Sequence, residues 1–92
     1  MNWTVSITKK ASKRILKLPK SVQKSLIALL ADIENNGPAR GEWANYGKLS
    51  ASQHHCHIKK GQPTYVAVWD VTDKKVRLVE VIYVGTHENA PY

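Results

Sequence analysis

The apolar residues change period part-way along the chain, and that change limits the fold more than any other feature of the sequence. Val22, Leu26, Leu29, Leu30 and Ile33 recur at intervals of three and four, the stripe of an amphipathic helix. Asn35-Asn36-Gly37-Pro38 ends it: Asn and Gly accept left-handed geometry, and Pro blocks continuation. After an irregular stretch from Ala39 to Gly47 the pattern becomes that of strands. Residues 48–60 read as a strand interrupted by polar residues, and Tyr65 to Val71 and Val76 to Val84 are rich in β-branched and aromatic side chains. Gly61-Gln62-Pro63 and Thr72-Asp73-Lys74-Lys75 supply the turns between them. Three strands joined by short turns make an antiparallel meander.

The residues ahead of the long helix complete the order. Trp3 to Ile7 alternates apolar and polar residues, as a short half-buried strand does. Thr8 is placed to cap a helix from Lys9 to about Lys17, with Ala11, Ile15 and Leu18 at helical spacing. Pro19 interrupts this helix and suits the opening of the next, which runs to about Glu34. The expected order is β-α-α-β-β-β, an α+β domain with a helical hairpin on one face of the sheet. The opposite face is left free for chemistry. At 92 residues the chain fits one domain, residues 1–92.

Charge matters once it is located. Lys9, Lys10, Lys13, Arg14, Lys17, Lys20 and Lys24 all precede the first acid, Asp32, while residues 32–92 balance 7 basic against 7 acidic side chains. The whole net charge of +7 therefore sits in the helical segment. This points to an acidic partner: nucleic acid, an anionic surface or an acidic protein. A single Cys forms no internal disulfide, no run approaches the roughly 18 apolar residues of a membrane span, and the N-terminus lacks a signal-peptide pattern. A cytoplasmic protein without a membrane partner is the expectation.

His54-His55-Cys56-His57 invites a metal reading, but alternation along a strand splits the run. His54, Cys56 and Ile58 share one face, and the apolar pair turns that face toward the helices. His55, His57 and Lys59 then project from the open face. No CxxC or HExxH spacing supplies a metal-ligand set, so no metal or other cofactor is expected. The same face suits RNA cleavage. Attack by a 2′-hydroxyl needs a base, cations at the phosphate and an acid for the leaving 5′-oxygen, and imidazole serves as acid or base near neutral pH. Lys59 and Lys60 can neutralise phosphate. Beyond the last strand, Gly85 to Tyr92 adds His87 and Tyr92, the latter able to stack on a base or act through its hydroxyl.

These features together resemble the RelE/ParE superfamily of bacterial toxins. Lys48-Leu49, the run His55 to Gly61, Tyr65-Val66-Ala67-Val68-Trp69 and Val84-Gly85-Thr86-His87-Glu88 resemble the RelE branch, and the likeness covers essentially the whole chain. It implies a RelE-like fold and a metal-independent endoribonuclease that cuts mRNA in the ribosomal A site, with a cognate antitoxin protein as partner. The family's basic positions on the first meander strand fall on His55 and His57, with Lys59 beside them. A family Arg on the next strand falls near Val66, which carries no charge. A basic residue after the last strand falls on His87, and a following Tyr is matched by Tyr92. A longer C-terminal helix of some members has no counterpart.

On this resemblance His87 or His55 acts as general acid or base, Lys59 and His57 stabilise the phosphate, and Tyr92 positions a base or the nucleophile. Lys9, Lys10, Lys13, Arg14, Lys17, Lys48 and Lys60 bind RNA, the helical ones docking on the ribosome. An acidic antitoxin segment would suit residues 9–24. Two alternatives make different demands. A ParE-like toxin acting on DNA gyrase needs a protein-binding surface and no acid/base set. A non-catalytic RNA-binding module needs exposed aromatic platforms on the sheet, for which Tyr65, Trp69 and Tyr83 are the candidates and core packing is the competing role for Trp69.

Overall fold

A computed structural model describes residues 2–92. A strand β1 (Thr4–Ile7) leads into helices α1 (Lys9–Ile15) and α2 (Lys20–Asn36). Strands β2 (Gly47–Lys48), β3 (Gln53–Lys59), β4 (Tyr65–Asp73) and β5 (Leu78–Thr86) follow, and a single 3-10 turn (His87–Asn89) closes the order. The five strands form one sheet in the order β1-β5-β4-β3-β2. The meander is antiparallel, as expected, while β1 pairs parallel to β5 with Val5 beside Val79 and Ile7 beside Val81. No helix among the described residues is long and apolar enough to cross a membrane.

Local chemistry explains the helical elements. The Thr8 hydroxyl accepts a hydrogen bond from the Ala11 amide at 3.1 Å and starts α1. Pro19 is the cap residue of α2 rather than its first turn. The Gly37 amide closes α2 by donating to the Ile33 carbonyl at 2.8 Å. The stripe read from the sequence is the buried face of α2: Val22, Leu26, Leu29 and Ile33 pack with Cys56, Ile58, Ala67, Trp69, Val79, Val81 and Val84 from the sheet. Each fully buried aliphatic side chain in such a core contributes about 1.5–3 kcal/mol through removal from water.

Three features depart from the sequence expectations. The segment 48–60 is two strands, β2 and β3, because residues 49–52 fold back: the Leu49 amide donates to the Gln53 carbonyl at 2.8 Å, and the Ser50 hydroxyl accepts from the Gln53 amide. The helical hairpin reaches beyond one face: Ile15 and Leu18 pack on the helix-side core, while Arg14 of α1 lies over Tyr83 on the opposite face. The third departure is on the face opposite α2, which is not simply open. A second apolar cluster of Val66, Val68 and Tyr83 lies there, flanked by Leu49, Ile82 and Ala90.

Tyr83 reaches that cluster through a bulge. Val68 pairs with Tyr83 while Trp69 pairs with Val81, so Ile82 is an extra residue in β5. Strict alternation would keep Val79, Val81 and Tyr83 on one face; the inserted residue sends Tyr83 to the other. Its ring then lies along its own strand over Gly85, where the hydroxyl donates to the Thr86 carbonyl at 2.7 Å. A Cβ on Gly85 would stand 2.6 Å from the Tyr83 hydroxyl, which is why glycine occupies that position.

Candidate active site

Strand geometry assembles the first half of the site. Within β3 the even residues His54, Cys56 and Ile58 are buried, and Cys56 and Ile58 join the helix-side core. His55 and His57 therefore project from the opposite face, as the alternation predicts. Opposite His57 on β4 stands Val66, fully buried in the second apolar cluster.

The segment after β5 supplies the second half. The His87 amide donates to the Thr64 carbonyl at 2.8 Å, and the Ala90 amide donates to the His87 carbonyl at 3.2 Å. These bonds fold the chain back over the second cluster. The His87 ring meets His57 edge to face at a centroid distance of 5.4 Å. Tyr92 reaches His55 at 4.6 Å and stands 5.8 Å from His87. Four of the expected residues, His55, His57, His87 and Tyr92, thus converge from elements about 30 residues apart in sequence. His57 and His87 line a cleft of about 580 Å³ with Gly61, Gln62, Pro63, Thr64 and Glu88.

Electrostatics distinguish the members. Burial lowers the pKa of His57 below the ordinary imidazole value, and the neighbouring His87, His55 and Lys60 lower it further. Burial does the same to His55, aided by His87. The His55 Nδ1 is buried with no hydrogen-bond partner, while its Nε2 lies 3.1 Å from where a Cβ on Gly47 would stand. Both imidazoles are thereby biased to the neutral form that accepts a proton. Partial burial raises the Tyr92 phenol above its ordinary value, with smaller contributions from Cys56 and Tyr83. Tyr92 is therefore a hydrogen-bond donor at neutral pH rather than a base.

Other expected residues lie elsewhere. The pairing register shifts between His57 and Lys59, so Lys59 lines a separate cleft with Pro19, Ser21 and Val22, away from His87. Lys60 borders the same separate cleft and acts on the site through its charge. Lys48 faces a helix-side cavity with Trp3, Tyr46 and His54. Of the three aromatic residues considered as stacking platforms, two are buried and the third is half-buried against a core. Trp69 is fully buried and donates to the Pro38 carbonyl, Tyr83 is buried, and Tyr65 packs against the helix-side core.

Two relationships had no signal in the sequence. The Tyr46 hydroxyl and His54 Nδ1 share a hydrogen bond of 2.6 Å, with His54 stacked on Trp69. Burial lowers the His54 pKa, Lys48 adds to this and Asp70 opposes it. His54 is thus a neutral core histidine, not part of a ligand set. The other is the Arg14 guanidinium, 5.3 Å from the centroid of the Tyr83 ring. Among the described residues no group of three or more His, Cys, Asp or Glu side chains is arranged to hold a metal ion.

The architecture has known counterparts. The E. coli toxin RelE, as a mutant in the free state, aligns over 98% of this chain and 88% of its own with a TM-score of 0.75 and 19% identity. The fold is RelE-like. The archaeal RelE–RelB complex from Pyrococcus horikoshii aligns over 98% of this chain and 100% of its own, with a TM-score of 0.74 and 15% identity. A YoeB–YefM complex from Staphylococcus aureus aligns over 95% of this chain and 99% of its own, with a TM-score of 0.69 and 17% identity. No protein-family model and no curated protein matches the sequence. At these identities the likeness establishes the RelE-like fold, and the chemistry has to be argued from the side chains present.

Proposed function

We propose that this RelE-like chain is the toxin of a toxin–antitoxin pair and an endoribonuclease that cuts mRNA in the ribosomal A site, stopping translation in the cytoplasm. The observation that carries the reading is the meeting of His57 with His87 across one cleft, one imidazole biased to neutral and the other exposed at the mouth. The structural likeness to RelE and YoeB, two of the aligned structures being complexes with RelB and YefM, supports the toxin and antitoxin part of the reading.

In the reaction, neutral His57 takes the proton of a ribose 2′-hydroxyl as its oxygen attacks the adjacent phosphorus. The bond from phosphorus to the 5′-oxygen breaks, and protonated His87 delivers a proton to that oxygen. The products are a 2′,3′-cyclic phosphate and a free 5′-hydroxyl. Lys60 offsets charge on the phosphate, and the Tyr92 phenol orients the strand by donating to it or stacking on a base. His55, covered by Tyr92 and lying beside Gly47, holds Tyr92 in place. General acid–base groups of this kind contribute about 10²–10⁴-fold each.

Lys9, Lys10 and Lys13 on α1 are exposed and contact ribosomal RNA by charge alone. An acidic antitoxin segment competes for the same helix. Inducing the chain in growing cells tests the reading. Translation should stop and mRNA should be cleaved, and His87→Ala should relieve both while remaining folded. DNA damage with intact mRNA would instead favour the gyrase-directed alternative.

A further inference from the structure

The geometry points to Arg14 as a second phosphate-binding group of the active site, holding the phosphate next to the scissile one; this rests on the nuclease reading above. The expected role for the helical cations is general docking on nucleic acid. Arg14 differs from Lys9, Lys10 and Lys13 in what it touches.

Its guanidinium lies over the face of Tyr83, and Tyr83 is itself fixed. The ring is buried on the second apolar cluster, its hydroxyl is tied to the Thr86 carbonyl at 2.7 Å, and only glycine at position 85 leaves it room. A guanidinium seated on such a ring keeps its in-plane N–H donors free for an anion. The β-bulge at Ile82 is what puts the ring on this face at all.

The surroundings match the task. Arg14 and Lys17 line a cleft of about 190 Å³ together with Gly85, Thr86 and Asn89. Thr86 and Asn89 bracket the same turn whose His87 and Glu88 line the larger cleft with His57. The 87–89 turn is therefore a ridge with a catalytic cleft on one side and a cationic cleft on the other. A single strand crossing this ridge places one phosphate at His57 and His87 and the next one beside Arg14. Val66, opposite His57 on β4, is a buried apolar side chain that supplies no cation, and Arg14 offers one from α1 on the other side of the ridge.

The test measures binding of a 2′-O-methylated, uncleavable RNA hexanucleotide and of a 2′-O-methylated dinucleotide carrying one phosphate. Wild type, Arg14→Ala, Arg14→Lys and, as a control on the distant β4–β5 turn, Lys75→Ala are compared. Arg14→Ala should weaken hexanucleotide binding about tenfold and lower the slope of log affinity against log salt by about 0.7. Dinucleotide binding should be unchanged. Arg14→Lys should restore the salt slope but not the full affinity, because it keeps the charge and loses the planar fork. Equal losses with both lengths would overturn the inference by putting Arg14 on the scissile phosphate. Hexanucleotide binding unaffected by Arg14→Ala but lost in His57→Ala would overturn it while leaving the nuclease reading intact. No binding of the hexanucleotide by the wild type would overturn the inference, while the nuclease reading stands or falls on cleavage of mRNA on the ribosome.

Discussion

His57 and His87 meet edge to face at 5.4 Å, although 30 positions and a whole β-hairpin separate them in sequence. Their contact depends on β3 presenting His57 outward and on the Thr64 carbonyl holding the His87 amide. The proximity also acts on the titration of His57. His87 depresses the His57 pKa after burial has already done so. Replacing His87 with Ala should therefore move the His57 titration upward toward the ordinary value near 6.5, read from its ring proton shifts by NMR. The same depression fixes the acid limb of cleavage. Activity that needs neutral His57 should persist as pH falls to 6.5 and decline only below it.

Tyr92 packs its ring against His55. The phenol ring lies 4.6 Å from the imidazole, and burial is the main cause of the depressed His55 pKa. Tyr92→Ala should let water reach the ring and raise its pKa toward 6.5. Tyr92→Phe should leave it depressed. NMR titration of His55 in the two variants separates packing from the hydroxyl.

Stability should depend on pH through the three depressed imidazoles His54, His55 and His57. Their folded-state values lie below the unfolded value of about 6.5, so the unfolded chain binds protons first as pH falls. Their contribution is fully present above about pH 6.5 and is lost as pH drops through the folded-state values. Thermal unfolding followed from pH 8 to pH 5 should show a midpoint that is flat and then falls. His54→Asn should make the fall shallower, because the most buried of the three no longer titrates.

Gly85→Ala should destabilise the fold by about 1–3 kcal/mol, the usual cost of overpacking. The added carbon would meet the Tyr83 hydroxyl at 2.6 Å and the ring carbon bearing it at 2.9 Å. For a domain of this size the midpoint should fall by roughly 4–8 °C for each kcal/mol lost. Differential scanning calorimetry reads this directly. An unchanged midpoint would mean that Tyr83 does not lie over Gly85.

The parts of the fold set by short-range periodicity were legible in the sequence. The stripe from Val22 to Ile33 is the buried face of α2, Thr8 caps α1, and alternation separates His55 and His57 from His54 and Cys56. Positions that depend on register were not. Alternation extended to Lys59 fails because the pairing shifts after His57, and alternation through β5 fails at Ile82. A single inserted residue leaves no mark in local composition, yet it decides the face on which every later side chain lies. The parallel pairing of β1 with β5, the return of Tyr92 to His55 and the seating of Arg14 on Tyr83 are contacts between distant segments. The location of the positive charge was plain from the start. That Arg14, one of those charges, lines a cleft with Thr86 and Asn89, on either side of the His87 turn, depends on α1 packing beside β5.

The most direct test of the central claim is the fate of a defined mRNA on purified ribosomes after the wild-type protein is added. Cleavage within the A-site codon should leave a 2′,3′-cyclic phosphate and a 5′-hydroxyl, and His57→Ala and His87→Ala, each still folded, should slow it about 10²–10⁴-fold. Uncut mRNA with the wild type, or cleavage undiminished in both variants, would contradict the assignment of these two histidines as the acid–base pair.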